Sequence, residues 1–211
     1  MRWPLDPMTL MWIQVAMGAM GMLTLVYLWR GLIRKFGSAP EIHQFFSPKG
    51  GCQDAIVAEI KNARSEILVQ AYSFTAETLA LALVAAKARG ITVEIVLDKS
   101  NEIERYSDLH ILLEKEMDVK VDHVHPIAHN KIIIIDKKTL ITGSFNFTHQ
   151  AEHENAENLL IMKGHPDLVA SYRENFFKHR EHSMAAQIRE GEMKDRRPAA
   201  APAAHQHKAA A

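Results

Sequence analysis

Cysteine is nearly missing from this chain: Cys52 is alone among 211 residues. That excludes an intrachain disulfide framework and leaves Cys52 as a small hydrophobe packed on a helix. Net charge is missing too, because 25 Lys and Arg balance 25 Asp and Glu. Neutrality argues neither for nor against a nucleic-acid partner, since a local basic surface can coexist with it. No internal repeat is visible. What remains, 47% apolar and 24% charged residues, is ordinary for a globular chain of one domain with appendages.

Charge is also missing from one long run. Between Pro7 and Trp29 there is no ionisable side chain of either sign apart from Tyr27. About 20 apolar residues cross a bilayer core as a helix. Trp12 near one end, with Tyr27 and Trp29 at the other, suit the interfaces. Arg30, Arg34 and Lys35 follow at once, and only Arg2 precedes, opposed by Asp6. These features predict an uncleaved membrane anchor. The basic flank places the following domain in the cytoplasm. A signal cleaved near "GSAP" at 37–40, with a periplasmic or secreted product, is the first alternative, and a buried core helix the second.

Three segments follow from composition: an anchor with its basic flank at 1–40, a folded domain at 41–184, and a disordered Ala/Pro-rich tail at 185–211. Within the domain, strands are expected at 41–47, 65–74, 91–98, 118–124, 131–136, 139–142 and 157–164. Helices are expected at 52–64, at 76–89 capped by Thr75 and stopped by Gly90, at 103–116, and at 165–182. This alternation predicts an α/β fold, a mixed sheet with helices on both faces.

The segment "HNKIIIIDKKTLITGSFNFT" at 129–148 carries the chemistry. Two β-branched runs separated by a few polar residues predict a hairpin. A tip at Lys137–Lys138 sets Asp136 against Thr139, Lys131 against Ser144 and His129 against Asn146; a three-residue loop would break that register. An imidazole, an ammonium, a hydroxyl and a carboxamide then share one patch. Imidazole is a nucleophile and proton carrier, while lysine and asparagine donate to phosphate oxygens. No cysteine pair or carboxylate cluster stands nearby for a metal. The constellation points to phosphoryl transfer through a histidine. Asp136 lies an odd number of residues from His129, so on a regular strand it faces the other way, near the turn.

The pattern His-x-Lys, four residues, Asp, six residues, Gly-Ser-x-Asn resembles the signature of the phospholipase D superfamily, matched by His129, Lys131, Asp136, Gly143, Ser144 and Asn146. "FSPKGG" at 46–51, "NAENLL" at 155–160 and residues 70–98 resemble its small single-motif bacterial nucleases. The resemblance implies a phospholipase D-like half-fold, no cofactor and no metal. It implies catalysis by His129, Lys131, Asp136, Asn146 and Glu157, with Lys131, Ser144 and Asn146 on the phosphate. Glu157 would hydrogen-bond the nucleophilic histidine and fix its tautomer. Single-copy members dimerise so that two motifs meet, with nucleic acid as the expected substrate and phospholipid, cardiolipin above all, as the alternative. A phosphate-binding module without turnover is a further alternative.

Other polar residues invite blander readings. His123 and His125 are read as a substrate-facing loop or plain surface; a metal pair there shows no third ligand in sequence. Tyr72 or Ser73 could border the site, although packing explains both. Lys137 and Lys138 are a solvated turn, and Glu152 and Glu154 solvated loop charges.

Overall fold

A computed structural model describes residues 6–36, 39–104 and 106–188, which fall into two units, Met1–Pro40 and Glu41–Ala211. In the first, helix α1 spans Pro7–Phe36. Asp6 starts it: its carboxylate accepts from the Met8 and Thr9 amides and the Thr9 hydroxyl, satisfying donors that a helix start leaves unpaired. Residues Pro7–Trp29 are 23 in number with a mean hydropathy of 1.6, and none of the apolar window is buried. At about 1.5 Å per residue they exceed a hydrocarbon core of about 30 Å. The helix is long and apolar enough to cross a membrane.

The second unit runs β1 (Glu41–Phe46), α2 (Cys52–Asn62), β2 (Glu66–Ala71), β3 (Phe74–Thr75), α3 (Glu77–Ala88), β4 (Thr92–Asp98), α4 (Leu109–Glu114) and β5 (Asp118–Asp122). It continues with β6 (Lys131–Ile135), β7 (Thr139–Gly143), β8 (Phe147–Thr148), α5 (His149–His153), β9 (Asn158–Lys163), α6 (Pro166–His182) and β10 (Met184–Ala185). One sheet has the order β1-β9-β7-β6-β2-β4-β5-β10; β3 and β8 pair separately. The β2, β4 and β5 pairs are parallel and the rest of the large sheet is antiparallel, so it is mixed, as expected.

Alternation explains the isoleucine run. Ile133 and Ile135 join Ile67, Val69 and Ile141 in a core with Ile56 and Ile60 of α2 and Leu79 and Leu83 of α3. Ile132 and Ile134 face the opposite side, with Leu68, Val96, Leu140 and the α6 residues Val169 and Phe176. A central strand covered on both faces must be apolar at every position. Cys52 lies wholly buried in the first core.

The hairpin differs from the expected register by one residue. Ile135 pairs with Thr139, Ile134 with Leu140 and Ile132 with Thr142, so three residues, 136–138, form the loop. Asp136 and Lys137 both have positive φ, and the Lys138 amide donates to the Ile135 carbonyl. Asp136 is held there because its carboxylate accepts from the amides of Arg64, Ser65 and Glu66 and from the Ser65 hydroxyl. Those four donors outweigh the preference of a non-glycine residue for negative φ.

Two helix starts also differ. Thr75 belongs to β3, and α3 begins after Ala76 without a side-chain cap. The helix expected at 103–116 is cut to α4, with a 3₁₀ turn at Lys99–Glu102 started by the Asp98 carboxylate. The Asp108 amide donates to the Phe74 carbonyl, which pins the chain and delays the helix. Glu152 is buried rather than solvated: its carboxylate accepts from the Gly51 and Gln53 amides at the start of α2. At the other end, the Ala186 and Gln187 amides donate to the Val119 carbonyl and the Glu102 carboxylate. Ordered structure therefore passes position 184; the tail expected beyond it lies from 189 onward outside the described residues.

Candidate active site

The strand register gathers the motif at one end of the sheet. Ala71 at the end of β2 pairs with Lys131 at the start of β6, Gly143 at the end of β7 pairs with Leu159, and Phe46 pairs with Asn158. The Tyr72 amide donates to the Asn130 carbonyl, carrying the β2–β6 pairing one step further and fixing the chain before Lys131. His129 lies just outside β6 with an exposed ring, and Lys131 is buried. The Lys131 Nζ lies 3.1 Å from His129 Nδ1 and donates to the His129 carbonyl at 2.8 Å. It also sits 5.2 Å from the centroid of the Tyr72 ring, which packs on the His129 ring at 4.5 Å. Tyr72 thus borders the site.

Glycine is required at the head of Gly-Ser-x-Asn. A Cβ on Gly143 would lie 2.2 Å from the Asn158 carbonyl oxygen. That close approach lets the carbonyl accept from both the Ser144 and Phe145 amides. The Ser144 hydroxyl accepts from the Asn158 amide and side chain, so Ser144 is turned toward Asn158 and holds the bend. The expected Lys131–Ser144 and His129–Asn146 pairs fall with the register. Phe145 and Phe147, both fully buried, anchor the chain on either side of Asn146. The Asn146 Oδ1 is buried with no hydrogen-bond partner among the described residues.

Glu157 stands at this end too, but its Oε1 accepts from Asn155 at 3.0 Å. Its charge acts on Lys131: burial pushes that ammonium down to about 8, and Glu157 works against the fall. The neighbour on His129 Nδ1 is Lys131, where Glu157 was expected. Asp136 lies at the far end of β6, five positions from Lys131 and about 16 Å away at 3.3 Å per residue. The resemblance carried it over as catalytic; the structure places its carboxylate on the Arg64, Ser65 and Glu66 amides at the hairpin tip, away from His129 and Lys131. Burial pushes its carboxyl up, but the hydrogen bonds from Ser65, Glu66 and Arg64 prevail and hold it below the usual range.

The histidines ahead of the motif are not plain surface. The His123 Nε2 lies 2.9 Å from the buried Glu102 carboxylate. His125 Nδ1 lies 2.8 Å from the carboxylate of Asp122, beside His179 and His182 of α6. The sequence signal for this group was two His-containing pairs at three-residue spacing, "DHVH" and "HREH", too far apart in the chain to be joined without the fold.

An exposed imidazole backed by a buried ammonium, at the end of the central strands of a mixed α/β sheet, suits phosphodiester chemistry. Residues 56–180 match the family described as "Cardiolipin synthase, PLD-like domain". A phospholipase D of Rickettsia conorii is 43% identical over 143 residues, 68% of this chain and 71% of that protein. A mitochondrial cardiolipin hydrolase of Mus musculus is 35% identical over 101 residues, 48% of this chain and 46% of that one. The crystal structure of Nuc from Salmonella typhimurium, a phospholipase D family member, superposes with a TM-score of 0.68 at 34% identity, covering 71% of this chain and 99% of that chain. The chain belongs to the phospholipase D superfamily and is a phosphodiesterase of that class.

Proposed function

We propose that the protein is a nuclease that cleaves DNA or RNA phosphodiester bonds, anchored in a membrane by α1 and active as a homodimer. The exposed His129 ring, packed at a tilt against Tyr72 and backed by Lys131, is the observation that carries this reading. A polymer backbone can present its phosphorus to a ring that projects from the sheet's end, and an aromatic neighbour suits a nucleobase. In this reading His129 Nε2 of one subunit attacks phosphorus and the P–O bond to the leaving group breaks. His129 of the partner subunit gives that oxygen its proton. The same partner histidine then takes a proton from water, whose oxygen displaces the first His129 and leaves a phosphomonoester. Lys131 and Asn146 donate to the anionic oxygens throughout. Residues 1–40 act as anchor and 41–184 as the catalytic domain, on the cytoplasmic side by the basic flank.

A second reading, a phospholipase D acting on cardiolipin-like lipids, is favoured by α1, which would hold the site near headgroups. The names of the Rickettsia and mouse relatives support it. Purified full-length protein is tested on single-stranded DNA, duplex DNA, RNA and cardiolipin vesicles without added divalent metal. Cleavage of nucleic acid with cardiolipin intact supports the nuclease; the reverse pattern establishes the lipid hydrolase. Binding of phosphodiesters without cleavage would leave only a binding module. His129→Ala should abolish turnover, and Lys131→Ala and Asn146→Ala should each reduce it about 100-fold or more.

A further inference from the structure

Away from the motif, a second polar cluster forms where α6 packs on β5. Asp122, the last residue of β5, is wholly buried. Three imidazole nitrogens converge on its Oδ2: Nδ1 of His125 at 2.8 Å, Nδ1 of His179 at 2.9 Å and Nε2 of His182 at 3.2 Å. The candidate ligand atoms of these four residues all lie within 4.8 Å of one another. The rings crowd together, with centroids 4.8, 5.3 and 5.4 Å apart. The other Asp122 oxygen, Oδ1, accepts from the Val124 and His125 amides, which fixes the carboxylate.

As a hydrogen-bonded hub this arrangement is in conflict with itself. One carboxylate oxygen has two lone pairs, and three N–H groups would have to share them. A cation at the centre resolves the conflict. Each neutral imidazole then turns a lone pair inward and keeps its proton on the outer nitrogen, while Oδ2 becomes the fourth ligand. A tetrahedral ion with bonds of about 2.0–2.1 Å sets its ligands about 3.3 Å apart, close to the separations from Oδ2. Three nitrogens and one oxygen suit zinc and its neighbours, not magnesium or calcium, which take oxygen ligands.

From this geometry we infer that Asp122, His125, His179 and His182 form a structural zinc-type site. Four protein ligands close the coordination sphere, as in structural sites, where catalytic ones keep a position open. The ion fastens the end of α6 to the loop that delivers His129. Only Pro126, Ile127 and Ala128 separate His125 from Asn130's neighbour His129. Lys99 donates to the His125 carbonyl and the Ala128 amide to the Asp98 carboxylate, so the loop is tied along its length.

The test reads metal content, melting temperature and a spectrum in the full-length protein, purified without an added histidine tag. Its outcome is therefore separate from whether the protein cleaves nucleic acid or lipid. One zinc ion per chain should be bound or taken up, chelation should lower the melting temperature, and zinc should restore it. Cobalt should give the intense visible bands of a four-coordinate ion. His125→Gln and His182→Gln, both at partly exposed positions, should weaken zinc by about 100-fold, the upper scale for losing even an outer-shell partner. His205→Ala with His207→Ala should leave it unchanged. A protein without metal that zinc neither stabilises nor binds saturably overturns the site. Zinc lost only with His205 and His207 does the same. Should a ligand variant fail to fold, the cobalt spectrum of the unaltered protein still decides.

Discussion

Lys131 Nζ lies 3.1 Å from Nδ1 of His129. An ammonium can only donate, so Nδ1 is the acceptor and the proton of the neutral ring sits on Nε2. A ring in that tautomer is neither nucleophile nor acid: its Nε2 has no lone pair to offer, and loss of Nε2–H would leave an imidazolate. The proton donor of a two-histidine mechanism must therefore be the imidazolium, protonated at both nitrogens. The nucleophilic copy needs its Nε2 lone pair and hence an acceptor beside Nδ1. Both working forms carry a proton on Nδ1, so the Lys131 ammonium is expected to leave Nδ1 and donate to the substrate phosphate during the reaction.

The alkaline limb of activity should follow from this. Burial pushes the Lys131 ammonium down to about 8, against Glu157, so the charge is present below that pH and lost above it. The rate constant kcat/KM should fall on the alkaline side of neutrality. Stability should move the other way. An unfolded lysine holds its proton to about 10.4, so between the two values the unfolded chain binds more protons and folding strengthens with pH. Activity that stays flat to pH 10 would remove Lys131 from the charge-stabilising role.

Asp136→Asn should cost stability, not chemistry. The carboxylate satisfies three amides and a hydroxyl at the hairpin tip. Loss of its charge-assisted bonds should destabilise by about 1–3 kcal/mol. Its folded pKa is depressed, so its contribution is full at neutral pH and fades as pH falls below the ordinary value of about 3.9. Denaturant melts at pH 7 and pH 3 should show the variant's deficit shrinking in acid. A loss of turnover in fully folded Asp136→Asn comparable with that of Lys131→Ala would return Asp136 to the chemistry.

Alternation made the sheet legible in sequence, because Ile132 to Ile135 can be apolar throughout only when both faces are covered. The histidine and lysine were legible as a pair because two-residue spacing crosses no uncertain turn. What sequence missed came from distance. The hairpin slipped by one residue because Arg64–Glu66, some 70 positions away, hold Asp136 in a left-handed conformation. Glu152 looked like a loop charge because its partners, Gly51 and Gln53, are as remote. The fourfold cluster needs α6 laid across the sheet before "DHVH" meets "HREH".

The anchor makes a prediction that cell fractionation can check. If α1 stays in the membrane, full-length protein should sediment with membranes and resist extraction by carbonate or high salt. A soluble mature chain starting near residue 39 or 40 would show a cleaved signal. The basic flank after Trp29 predicts a cytoplasmic domain, so a periplasm-dependent reporter fused after Ala211 should stay silent. Activity of that reporter would reverse the orientation.

Assembly is the most exposed expectation. One chain carries one His129, while the two-step reaction asks one imidazole to attack as another protonates the leaving oxygen. Two copies related by a two-fold axis, with their His129 rings facing across it, would meet that need. Mixing experiments separate this from a self-sufficient monomer. Unaltered subunits are exchanged with a rising share of His129→Ala subunits, and hydrolysis of a natural phosphodiester is followed. In a hybrid dimer the site lacks either its nucleophile or its acid, so only unaltered pairs work and activity should fall as the square of the unaltered fraction. A substrate with a good leaving group needs less protonation, and for it the fall should be shallower. A linear fall on the natural substrate, or a fully active monomer in solution, would place a second acid within this chain. His123, paired with Glu102 ahead of the motif, would then be the first residue to replace.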